Sequence, residues 1–230
     1  MWSFLFPILG GFVGLILIRI LGFKKFTGGE FLLGFVIFFF SMIIQSPIQQ
    51  LPILSMGRNQ EEIINFILTQ GFGFILIISL WIGFIAGFVQ SGFKYIFARN
   101  KSYSAALNIG LGFGLTEAFY IGIISSLMTV INVPIYMYGI SMIERFSATI
   151  FHIGSTMFIV DMFKKRRGLL GLLIIIIIHG LIDTLAALYQ IMLNQLLLII
   201  TEFSILIIGL FLILKLYKKA IGESEESPVW

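Results

Sequence analysis

Glu144-Arg145-Phe146-Ser147-Ala148-Thr149-Ile150-Phe151-His152 sets three ionisable side chains into an otherwise apolar helical stretch. A charge at the centre of a bilayer costs at least ~2.5–3.5 kcal/mol, so such groups face a protein interior, pair with one another, or carry function. The flanking apolar segments hold groups that could meet them. Glu117 stands in Gly112-Phe113-Gly114-Leu115-Thr116-Glu117-Ala118, and His179 with Asp183 stand in Ile178-His179-Gly180-Leu181-Ile182-Asp183.

The surroundings decide the medium. Of 230 residues, 59% are hydrophobic and 11% charged, against about 25% charged in a soluble domain, so water could not solvate this surface. The expected fold is an all-α, polytopic integral membrane protein. Windows of about 20 apolar residues fall at 2–22, 31–54, 63–93, 104–131, 138–163, 168–193 and 196–214. These give seven spans in a single transmembrane domain (1–222), with the site helices within 104–193 and a polar, disordered C-terminal tail at 223–230. Trp2 to Pro7 carries no positive leader, so the first segment reads as a retained span. Pro47 and Pro52 are expected to break the second span near its end. Absence of cysteine excludes disulfides and thiol catalysis.

Positive charge sets the orientation. Lys24 and Lys25 follow span one; Lys94, Arg99 and Lys101 follow span three. Lys164, Lys165, Arg166 and Arg167 follow span five, and Lys215, Lys218 and Lys219 follow span seven. The intervening loops hold only Arg58, offset by Glu61 and Glu62. Every second loop is basic, which puts the N-terminus outside and the C-terminus in the cytoplasm. The net charge of +4 is thus a topology signal, and no nucleic-acid partner is expected. Asp161 is expected to pair with the Lys164–Arg167 cluster, and Glu202 to sit at the outer interface. Gly83 and Gly87 form a small-xxx-small pair that predicts close helix packing. Gly110, Gly112 and Gly114 should let span four pack tightly beside Glu117.

A rise of 1.5 Å per residue puts Glu117 ~20 Å from the cytoplasmic face, His152 and His179 ~16 Å, and Asp183 ~22 Å. At about 100° per residue, Arg145 and His152 lie within ~20° of each other, whereas Glu144 lies ~80° from His152 and flanks the site. His179 and Asp183 are neighbours on one helix face, while the adjacent Glu144 and Arg145 are not expected to face each other. Arg145 should therefore pair across helices, with Glu117 or Asp183.

These groups suit hydrolysis without a covalent intermediate. A desolvated glutamate is a stronger base, so Glu117 could take a proton from water as it attacks a peptide carbonyl. A histidine could share that water or donate to the oxyanion, with Asp183 fixing a histidine tautomer. Two histidines with Asp or Glu also satisfy three positions of a catalytic zinc, in which case His152, His179, Asp183 and Glu117 would be the ligands. A proton-coupled transporter places the same residue types at midplane, but it predicts pseudo-symmetric halves, and no internal repeat is visible. A non-catalytic scaffold would use them as interhelical hydrogen bonds.

At these residues the chain resembles YhfC-type membrane peptidases, similar to the wider group that contains CAAX prenyl endoproteases, bacteriocin-processing enzymes and PrsW-like proteins. The resemblance rests on Gly112 to Ala118, Glu144-Arg145-x6-His152 and His179-x3-Asp183. The wider group shows Glu-Glu-x3-Arg, Phe-x3-His and His-x3-Asn/Asp on successive helices. His179-x3-Asp183 matches outright, and His152 matches with Ala148 at the phenylalanine position. After Glu117 the chain has Ala118, and Gly122 in place of arginine. The resemblance implies a glutamic intramembrane protease without a cofactor, acting on membrane-embedded or membrane-associated peptides in a bacterial plasma membrane. Glu117 would be the base, and His152 and His179 would position water and oxyanion. Asp183 would orient a histidine, and Glu144 and Arg145 would form the supporting charge network.

Overall fold

The computed structural model describes residues 2–57, 59–128 and 134–226. These residues form eight helices: α1 (Trp2–Ile20), α2 (Gly28–Gln50), α3 (Gln60–Thr69), α4 (Phe72–Ala98), α5 (Tyr103–Met128), α6 (Ile135–Lys164), α7 (Gly168–Met192) and α8 (Gln195–Glu226). All except α3 are long and apolar enough to cross a membrane, which gives the seven spans expected. Their outward faces carry exposed Ile77, Phe88, Ile177, Ile207 and Phe211, side chains that hydrocarbon rather than water would solvate.

Four features differ from the expectation. The window 63–93 joined two helices. Asn59 caps α3 by accepting a hydrogen bond from the Glu62 N–H (3.0 Å), and Gly71, at φ +86°, turns the chain into α4. Pro47 does not break α2, which continues to Gln50. Its end is tied to α4: the Gln49 side chain donates to the Ile82 carbonyl (2.7 Å) and the Trp81 indole to the Ile48 carbonyl (3.1 Å). The helix ends just before Pro52, as that proline predicts, and the Trp81 donor serves the Ile48 carbonyl, which Pro52 cannot.

The third difference is at the C-terminus. Helix α8 runs on to Glu226, so 223–226 are helical rather than disordered, and the rest of the expected tail lies outside the described residues. Glu223 accepts from the N–H groups of Tyr103 (2.5 Å) and Ser104 (3.2 Å) and binds Lys164 (2.7 Å). A carboxylate there satisfies donors that open every helix. Asp161, almost fully buried, pairs with Lys165 (2.6 Å) as expected, and also with Lys219 and the Tyr103 hydroxyl. Together these contacts knit α5, α6 and α8 at one end of the bundle. The fourth difference is Lys94. It lies inside α4 and is completely buried, not in a loop.

Glycine sets two of the close approaches. A Cβ on Gly87 would stand 2.6 Å from the Gly180 nitrogen and 2.9 Å from the Ile176 carbonyl oxygen, so α4 and α7 meet backbone to backbone. Gly110 and Gly114 do the same for α5 against α6, where added Cβ atoms would come within 2.6 Å of Ile153 Cα and 2.8 Å of Thr149 Cα. Contacts this short give dispersion its full range, the main adhesive between helices in lipid. They also fix the spacing across which the polar side chains meet. Helix α6 is the hub, packed by α1, α5, α7 and α8.

Candidate active site in the membrane cavity

Polar side chains on α6 would weaken a membrane helix if left unpaired, and most are absorbed locally. The hydroxyls of Ser147, Thr149 and Thr156 donate to carbonyls four residues earlier. Glu144, Arg145 and His152 have no such outlet and project into a cavity of about 530 Å³. Glu117 from α5 and His179 and Asp183 from α7 line the same cavity. All six residues singled out in the sequence therefore converge.

Glu117 is held from two sides. Its Oε2 lies 2.6 Å from His152 Nε2, and its Oε1 lies 3.3 Å from Arg145 Nη1. Arg145 does pair across helices, with Glu117, but it also curls back onto Glu144, the neighbour it was not expected to face. A guanidinium on three methylenes can reach past its own helix surface, which Cβ spacing alone does not capture. Behind Glu117, the His152 ring packs 4.6 Å from the Phe113 ring and 5.6 Å from the His179 ring. On α7, His179 Nε2 faces Asp183 Oδ2 at 3.5 Å across one helical turn.

Several residues at the site were not read from sequence. Lys94 Nζ lies 2.6 Å from His152 Nδ1, and Ser91 Oγ lies 3.4 Å from His179 Nδ1. Both belong to α4, behind the two rings. The signal was present: Gly83, Gly87, Gln90, Ser91 and Lys94 recur at three- and four-residue steps, so the face that packs on α7 also carries the lysine. Gln90 donates to Gln45 (3.0 Å), Gln45 to Gln49 (3.3 Å), and all three border the cavity. Glu202, near the start of α8, also borders it.

Residues 127–203 match the YhfC intramembrane metalloprotease family. This stretch, about a third of the chain, thus matches a family of intramembrane proteases. The YhfC match takes in Glu144, Arg145, His152, His179 and Asp183; Glu117 and Lys94 lie outside it. No curated protein and no solved structure matches the chain.

The YhfC family's description as metalloproteases prompts a test of the donors. Among the described residues, no three His, Asp or Glu side chains gather as a metal would require. His152 already contacts Glu117 and Lys94 through its two nitrogens, and His179 contacts Asp183 and Ser91. With their ring nitrogens paired in this way, the described residues as placed do not fit a resident zinc.

Proposed function

We propose that the protein hydrolyses peptide bonds of membrane-embedded or membrane-associated proteins, with Glu117 as the base that activates water. The observation that carries this reading is a carboxylate bordering a membrane cavity, clamped between His152 and Arg145. Glu117 takes a proton from a water in the cavity as the water oxygen bonds to the substrate carbonyl carbon. The carbonyl oxygen becomes an oxyanion and accepts a hydrogen bond from His152 Nε2–H, which Glu117 Oε2 releases as the carboxyl takes up the proton, while His179 borders the same space. The carbon–nitrogen bond then breaks, and Glu117 returns the proton to the leaving amine. Asp183 orients His179, while Arg145, balanced by Glu144, holds Glu117 in place.

The Ser91–His179–Asp183 row is no nucleophilic triad, because Ser91 is fully buried and does not border the cavity. The family's description favours one second reading, a zinc enzyme using the same residues.

The test is cleavage of a transmembrane peptide library by purified protein in detergent, comparing wild type with Glu117→Gln and His152→Ala. Loss of cleavage in both variants, with the helical fold retained by circular dichroism, is the expected result. Equal cleavage by Glu117→Gln would overturn the assignment of the base. The basic loops favour a bundle with its N-terminus outside and its C-terminus in the cytoplasm. Because the chain has no cysteine, Gln70→Cys and Arg167→Cys report on opposite faces. An impermeant thiol reagent added to intact cells should label only the former.

A further inference from the structure

Lys94 is completely buried, does not border the cavity, and cannot touch a substrate there. When protonated, its amino group has three N–H donors and no acceptor, and three groups stand around it. They are His152 Nδ1 at 2.6 Å, Ser155 Oγ at 3.5 Å and the face of the Phe113 ring, 4.4 Å from its centroid.

The geometry points to Lys94 as the positioning residue that holds His152 as the neutral imidazole with its proton on Nε2. A donor at Nδ1 requires a lone pair there, and a neutral imidazole then carries its single proton on the other nitrogen. An imidazolium would set an N–H against the ammonium at 2.6 Å. Nε2–H donates to Glu117 Oε2, which keeps that oxygen an acceptor and the carboxylate ionised. Nδ1 is blocked, so His152 has no free site for a proton taken from water. Glu117 is left as the proton carrier and His152 as a hydrogen-bond donor. Ser91 sits likewise behind His179, its hydroxyl at Nδ1 and Asp183 at Nε2, but a hydroxyl both donates and accepts and so fixes no tautomer. Helix α4 thus contacts both rings from behind. Only the catalytic consequence rests on the proposed hydrolysis; the tautomer does not.

The chain has two histidines, so 15N-histidine NMR of the full-length protein in micelles reads both rings, with His179→Gln assigning them. The expected spectrum shows His152 Nδ1 in the unprotonated range and Nε2 in the N–H range. In Lys94→Met the two shifts should converge as the tautomers exchange, while His179 stays unchanged; Lys94→Arg should restore the fixed pattern. A wild-type His152 protonated at Nδ1, alone or together with Nε2, overturns the proposal. So does a Lys94→Met spectrum identical to wild type. Should Lys94→Met not fold, Lys94→Gln takes its place, and a His152 pattern there identical to wild type overturns the proposal. No step of this measurement needs cleavage, so it stands apart from the fate of the protease reading.

Discussion

Glu117 and His152 are 35 positions apart in the chain and meet at 2.6 Å inside the bundle. Helices α5 and α6 bring them together because Gly110 and Gly114 remove the side chains that would hold the backbones apart. The pair is therefore set by backbone spacing, and its tolerance is narrow. Glu117→Asp keeps the charge but withdraws the carboxylate by one methylene, and should lower the cleavage rate roughly 100-fold, the cost of a misplacement of about 1 Å. Steady-state kinetics beside a melting curve checks this; a variant with full activity would mean that Glu117 need not touch the reacting water.

Arg145 pairs with two carboxylates from a nearly buried position. Removing one partner of a buried ion pair costs about 3–5 kcal/mol, because the other charge stays behind. Arg145→Met should lose that much in detergent unfolding, and Arg145→Met/Glu144→Gln should recover part of it. A single variant as stable as wild type would show that the cluster is solvated in the native protein.

Metal removal separates the two protease readings. Arg145 and His152 already hold Glu117, so cleavage should persist after exhaustive chelation. Activity lost on chelation and restored by zinc would shift the assignment to the metalloenzyme.

The contact of α4 with α7 admits no side chain at Gly87. Gly87→Leu meets backbone, which cannot swing aside, and overpacking of this kind costs typically ~1–3 kcal/mol. The displaced α4 would carry Ser91 and Lys94 away from both histidines. The expected outcome is a lower melting temperature together with weaker cleavage, whereas Gly92→Leu, where a Cβ meets nothing within 4 Å, should change neither.

The number of spans was legible because hydrocarbon thickness imposes one length on every helix, and the site was legible because charge is rare in such helices. His179 and Asp183 announced themselves by a four-residue spacing. Lys94 did not, because a lysine near a helix end looks like a topology signal, and only the direction of its side chain tells a snorkelling residue from an inward one. Glu202 was hidden likewise: depth estimated along α8 said nothing about which face turned inward. The Glu144–Arg145 pair was missed because helical wheels place Cβ atoms and not the ends of long side chains. Gly71 marked the break between α3 and α4, but an apolar window reads straight across it.

Helix α6 is at once the least apolar of the seven spans and the most enclosed. Its partners α7 and α8 follow it in the chain, so a nascent protein that had reached only residue 167 would present Glu144, Arg145 and His152 to lipid on one side. Biogenesis therefore has an order. The outer spans can enter the bilayer as they emerge from the ribosome, but the helix that carries half of the site settles only once the last two are made. Until then the cell holds an inactive, half-built bundle, and truncated forms should be cleared by quality control instead of accumulating as partial enzymes.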